Sequence, residues 1–359
     1  MEKLAPAVFA VDGNYHIMFY TDTPELVRVC VGDECYYDES NGVLCSASPV
    51  HKVIVPAEEL DAAGEYTVYE RPIIERKPYF TETAPEEARS YKFRPVPKSG
   101  KVRAYHISDA HNKSETPVIA AKVFGDIDFL VLNGDIPDHS GAIENCITVY
   151  KIAAGVTGGE IPVVFSRGNH DTRGVLAEKF ATLTPTDNGN SFYTFRIGSI
   201  WGVVLDCGED KDDGHEEYGF TVCCHAFRKR QTAFLKRVIE RGEYLDPEIK
   251  HRIVVVHNPF THQLSAPFNI EKDIYSEWAR LLGEHIKPDV MMAGHLHKLS
   301  VNKCGSDFDH LGQPCTVVVG GNVDHKSGFW EGAGYDFEDG EIFVTFTDSD
   351  GHKGERIKV

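Results

Sequence analysis

Positive charge is what this sequence has least of. Its 37 Lys and Arg stand against 55 Asp and Glu, a formal net charge of −18. Nucleic-acid backbones are bound by neutralising phosphates with Lys and Arg, so the balance argues against such a partner and against an anionic membrane surface. Long apolar runs are missing too. No stretch reaches the ~18 apolar residues that a membrane-spanning helix needs. The opening MEKLAPAVFAVDG has no basic segment followed by an apolar one of secretory length. The nine cysteines are scattered and contain no C-x-x-C pair, which reads as buried free thiols in a reducing compartment. Together these absences predict a cytoplasmic protein with no nucleic-acid or membrane partner. Internal repeats and low-complexity segments are also lacking.

What is present is an ordinary globular composition, 42% hydrophobic and 26% charged over 359 residues, enough chain for two domains. The runs Ala7–Val11, His16–Tyr20, Leu26–Val31, Lys52–Val55, Tyr66–Tyr69 and Ser90–Phe93 are short and strand-like, with Gly, Asn, Asp and Pro between them. That rhythm predicts a small all-β sandwich over residues 1–97. From 98 to 359 strands alternate with the helical patterns Pro117–Phe124, Ile143–Ala154 and Arg228–Arg241, which predicts an α/β sheet covered by helices. The acidic run from Gly208 to Gly214 reads as a solvated loop that follows a strand and is placed to edge a site.

Five apolar strands of the second region end in polar clusters. Val102–Ile107 runs into Ser108-Asp109-Ala110-His111, and Phe129–Leu132 into Asn133-Gly134-Asp135. Val163–Phe165 leads to Gly168-Asn169-His170-Asp171, Ile253–Val256 to His257-Asn258, and Val290–Met292 to Gly294-His295-Leu296-His297. Strands that run the same way bring their C-terminal ends to one edge of a sheet. Carboxylates, imidazoles and an amide oxygen gathered there suit borderline divalent metals such as Mn, Fe or Zn, with no thiolate required. Asp-x-His and His-x-His set two donors on one side of an extended segment. The glycines before the donors permit tight turns and close backbone approach.

This ordered set resembles the calcineurin-like metallophosphoesterase superfamily, whose pattern is D-x-H, G-D-x-x-D, G-N-H-D/E, H and G-H-x-H. The matching residues are Asp109-Ala-His111, Gly134-Asp135-Ile-Pro-Asp138, Gly168-Asn-His-Asp171, His257 and Gly294-His-Leu-His297, within residues 101 to 348. The resemblance implies a four-layer α/β/β/α sandwich with two divalent metal ions at the sheet edge. It implies that Asp109, His111 and His297 hold the first ion, that Asn169, His257 and His295 hold the second, and that Asp135 bridges them. His170 is then the catalytic histidine and Asp138 the carboxylate that orients it. His139, beside the second motif, is expected to touch the substrate phosphate.

The β-rich leader is similar to the fibronectin type III-like leader of purple acid phosphatases. Those enzymes place a tyrosine ligand where this chain has Asp138 and use D-x-G as the first motif, so no tyrosinate colour and no Fe(III)-locked centre are expected here. The implied activity is hydrolysis of a small-molecule phosphoester by water activated between two metals, with His170 protonating the leaving group. A monoester is expected ahead of a diester, cyclic nucleotides included. The alternative of a non-catalytic scaffold on the same fold is disfavoured by the complete ligand set.

Overall fold

Val102–Ile107, Phe129–Asn133 and Pro162–Ser166 are buried on both faces, as strands at the centre of a covered sheet must be. In the computed structural model, which describes residues 3–40 and 42–359, they pair in parallel. Met1 and Glu2 of the opening stretch lie outside the described residues. Alternate side chains face opposite ways with period two. Val102, Ala104, Phe129, Val131 and Val164 point to one apolar cluster. Tyr105, Ile107, Leu130, Leu132, Val163 and Phe165 point to another, with residues of the helices Glu115–Phe124 and Thr148–Thr157.

A second sheet covers the first face. Its strands Ile200–Leu205, His251–Val256, Val290–Ala293 and Thr316–Val319 pair in parallel. Val204, Ile253, Val255 and Met292 join the cluster between the sheets. Trp201, Val254 and Met291 face outward, into a third cluster with the helices Cys224–Arg241 and Lys272–Leu281. Helix, sheet, sheet and helix therefore stack as the four expected layers. Each fully buried Val, Leu or Phe contributes about 1.5–3 kcal/mol to holding them together.

The leader is all-β apart from the short helix Ala57–Ala63. One of its sheets runs Glu87–Lys92, Glu65–Glu75, Glu25–Val31 and Glu34–Tyr37. Of its other strands, Ala7–Val11, Asn14–Tyr20 and Val50–Pro56 do not form a sheet of their own. Ala7–Val11 pairs in parallel with Pro162–Ser166, so all three extend the central sheet to ten strands. The pairing removes two exposed sheet edges at once. One apolar cluster then runs from Val29 and Val68 of the leader to Val255 and Met292 of the second sheet, across the boundary expected after Pro97.

The cysteine expectation needs correction. Cys30 and Cys35 are joined as a disulfide, because the register of their hairpin sets them directly opposite each other. Cys223 and Cys304 are exposed rather than buried. No helix among the described residues is long and apolar enough to cross a membrane.

His16 makes stability pH-dependent. It is 3% exposed, its Nδ1 has no partner, and burial together with the charge of Lys52 pushes it down to about 3. Burial pushes His106 down to about 3 as well. An unfolded histidine titrates near ~6.5, so below that pH the unfolded chain takes up protons that the folded chain refuses. The stability is complete above ~6.5 and falls towards 3, by up to about 1.4 kcal/mol per pH unit for each group. Melting temperatures measured from pH 7 to 5 are expected to drop. His16→Leu should flatten that slope, and an unchanged slope would refute the assignment.

Candidate metal centre

Five of the seven expected ligands sit in the left-handed backbone region: Asp109 (φ 56°), His111 (42°), Asp135 (51°), His295 (68°) and His297 (47°). That conformation costs on the order of 1–3 kcal/mol for a residue with a Cβ and persists only where surroundings impose it. Here the chain turns sharply at three of the five strand ends to aim side chains into the same space. The ends come from both sheets, three segments from the central one and two from its partner, rather than from a single sheet edge. Asn133 ties the two sheets at this point. Its Nδ2 lies 3.1 Å from the Met292 carbonyl and 3.3 Å from that of Val256.

Glycine makes the approach possible. A Cβ on Gly134 (φ 76°) would stand 2.5 Å from the His257 ring, and one on Gly168 would overlap the Asp135 carboxylate. Gly134→Ala is expected to cost about 1–3 kcal/mol by overpacking and backbone strain. It should displace His257, seen as a lower melting temperature together with weaker metal binding. Unchanged values for both would show that the site tolerates the extra carbon.

The donor atoms converge. His111 Nε2 and His297 Nε2 are 3.1 Å apart, and His297 Nε2 is 3.2 Å from Asp109 Oδ1. His257 Nε2 lies 3.1 Å from Asp135 Oδ2, and His295 Nδ1 lies 3.0 Å from Asn169 Oδ1. Neighbouring donors near 3 Å are what a shared ion with bonds of ~2.1 Å requires. Asp109, His111 and Asp135 form one group able to hold an ion, and Asp135, His257 and His295 form another. Asp135 belongs to both.

Surrounding groups fix the ligands. The Ser108 hydroxyl donates to Asp109 Oδ2 (2.6 Å), and the His295 backbone N–H donates to the same carboxylate (3.0 Å). His257 Nδ1–H donates to the Asn133 carbonyl (2.8 Å), which turns Nε2 toward Asp135 and Asp109. That Nε2 is buried and has no aligned hydrogen-bond partner.

The electrostatics call for cations. Burial is the largest influence and would raise Asp109 and Asp135, but the neighbouring histidines together outweigh it, His257 with His297 at Asp109 and His257 with His170 and His111 at Asp135, and both stay below the usual carboxylate range. Burial works against a charge on His257 too, yet the two carboxylates hold it up at about 10. Burial and the His257 charge push His295 down to about 4. A buried pair of carboxylates that draws a proton onto an imidazole is a pocket that suits bound divalent ions. The donor set therefore fits two such ions.

Other expected residues are placed differently. The Asp138 carboxylate hydrogen-bonds His111 Nδ1 (3.1 Å), and a carboxylate oxygen lies within 4.8 Å of a His170 ring nitrogen. His170 Nδ1–H donates instead to the Asp138 main-chain carbonyl (2.7 Å), and the His170 backbone N–H donates to Asp135 Oδ1 (2.9 Å). His139 is exposed, and its Nδ1 accepts the Gly141 N–H (3.0 Å), which ties the ring to its own loop. Asp171 is buried and accepts the Gly168 N–H (2.6 Å), a turn-forming role. The acidic loop is not simply solvated. Glu209 is 1% exposed and grips Arg173 through both carboxylate oxygens, while Asp210 Oδ2 lies 3.8 Å from His295 Nε2.

Two residues were missed. Arg173 Nη1 stands 3.4 Å from His170 Nε2, three residues beyond it in the same turn. His325 lies beside His111 and His297. Its signal was the one used elsewhere: the apolar strand Thr316–Val319 ends in Gly320-Gly321, and the histidine follows four residues on.

A family model described as calcineurin-like phosphoesterase matches residues 102–299, more than half of the chain. The chain belongs to the calcineurin-like phosphoesterase family. No curated protein matches this calcineurin-like phosphoesterase. In fold it is similar to the purple acid phosphatase PPD1 isolated from yellow lupin (Lupinus luteus) seeds, with TM-score 0.63 and 14% identity over 99% of this chain and 73% of that one. It is also similar to PhoD, with TM-score 0.53 and 11% identity over 99% of this chain and 91% of the other.

Proposed function

We propose that this phosphoesterase hydrolyses small-molecule phosphoesters, monoesters ahead of diesters, with two divalent ions drawn from Mn, Fe and Zn. The observation that carries the reading is the sharing of Asp135 between two donor groups, with the His170 backbone tied to the same carboxylate. Asp109, His111 and His297 would hold the first ion, Asn169, His257 and His295 the second, and Asp135 both. Bound there, the ions supply charge neutralisation for phosphate oxygens and lower the pKa of bound water.

The protein's own part is positioning and proton supply. Phosphoryl transfer gains most from held geometry and compensated charge. With His170 Nδ1–H committed to the Asp138 carbonyl, Nε2 is the atom that can carry a proton to the leaving oxygen as the P–O ester bond breaks. Arg173 beside it, restrained by Glu209, adds a fixed positive centre on that side. A cleft of about 600 Å³ flanks Arg173, lined by Val175, Tyr218 and Val222 but also by Glu209 and Glu217. Its mixed, partly acidic wall favours an uncharged leaving group over a polyphosphate.

The same acidic surroundings, with the net charge of −18, support a substrate that is neither nucleic acid nor membrane lipid. The test is turnover of p-nitrophenyl phosphate against bis(p-nitrophenyl) phosphate in the presence of Mn(II). The monoester should be cleaved faster. Faster bis-ester cleavage would make the protein a diesterase, and no turnover of either by metal-loaded protein would favour a scaffold.

A further inference from the structure

The short strand Gly321–Val323 runs directly against the metal centre. A Cβ on Gly321 would lie 2.6 Å from the Ser108 carbonyl and 2.7 Å from the Asp109 carboxylate, so only glycine lets the backbone pass there. The turn that follows is braced from within. Asp324 Oδ1 accepts the Lys326 N–H (2.9 Å), its Oδ2 accepts the Ser327 hydroxyl (2.7 Å), and its own N–H donates to the Phe329 carbonyl (2.9 Å). That braced turn presents His325. Its ring centroid is 5.0 Å from that of His111, edge to face, and 5.7 Å from that of His297. One ring nitrogen from each of the three histidines lies within 4.8 Å of the others.

We propose that His325 is a further ligand of the first metal position, beside Asp109, His111, Asp135 and His297. The proposal rests on the reading of the site as a two-metal centre and adds to it a donor from outside the segment, residues 102–299, that the family model matches. The close backbone approach and the self-supporting turn are what the role requires: a donor on an exposed loop binds well only if it is held in place before the ion arrives. A third imidazole makes the first position richer in nitrogen than the second. Such a donor set favours Zn or Fe over Mg.

The test is a Zn(II) titration of metal-free protein against a competing chelator, wild type beside His325→Ala. Wild type should bind two ions. In the variant one ion should weaken at least about tenfold, as loss of supporting groups at metal sites does, while the other is unchanged. Because His325 is exposed, the melting temperature of the metal-free protein should be the same for both. Wild-type affinity for both ions in the variant would overturn the proposal, including where turnover falls, since His325 would then touch substrate only. Equal weakening of both ions would overturn it too. Failure of the wild type to bind two ions would sink the two-metal reading itself, which the wild-type titration shows independently.

Discussion

Asp135→Asn should release both metal ions and abolish turnover while the protein stays folded. A carboxylate offers an oxygen to each of two ions, whereas an amide offers one oxygen and turns N–H groups toward the other position. Asp135 Oδ2 faces His257 Nε2 at 3.1 Å, and Oδ1 already accepts the His170 N–H at 2.9 Å. The substitution therefore removes charge, bridge and anchor together. Changes in groups that merely support metal ligands cost about 10–100-fold in affinity, so a shared ligand should cost each ion at least about a hundredfold. Side-chain volume hardly changes, which preserves packing. Metal analysis of the dialysed variant checks the outcome, and retention of both ions would show that Asp135 is no bridge.

His170→Ala should do the reverse: metal content stays at the wild-type level and kcat falls by about 10²–10⁴-fold. His170 Nδ1–H is committed to the Asp138 carbonyl, and Nε2 lies 3.4 Å from Arg173 Nη1. The loss should depend on the leaving group. An alkyl phosphate needs a proton on its departing oxygen and should suffer fully, whereas p-nitrophenolate leaves without one and should suffer least. A uniform loss across leaving groups would argue that His170 binds phosphate instead of donating a proton. Loss of metal would make it a ligand.

The strand ends were legible because each carries two signals in one short stretch, an apolar run and then a donor, with glycine between them at three of the five. Phe129–Asn133 before Gly134-Asp135 and Val290–Ala293 before Gly294-His295 are examples. What escaped depended on contacts distant in sequence. Nothing near Ala7–Val11 announces a partner at Pro162–Ser166, so the leader's merger with the central sheet could not be read. The strand Trp330–Glu338 carries two glycines, Gly332 and Gly334, in its interior. A Cβ at Gly332 would meet the Trp330 ring and one at Gly334 the Phe124 ring, so both glycines serve close packing. Motif spacing located Asp138 but not its carboxylate's contact with His111 Nδ1 at 3.1 Å, which joins two motifs distant in sequence. His139 follows the second motif as expected, and its Nδ1 accepts the Gly141 N–H, a contact that chain position alone does not announce.

A crystal structure with anomalous scattering recorded at the Mn, Fe and Zn absorption edges tests the central claim most directly. Two peaks are expected on either side of the Asp135 carboxylate, one in bonding reach of Asp109, His111 and His297, the other of Asn169, His257 and His295. No peak in metal-supplemented crystals, or a single peak away from Asp135, would contradict the account.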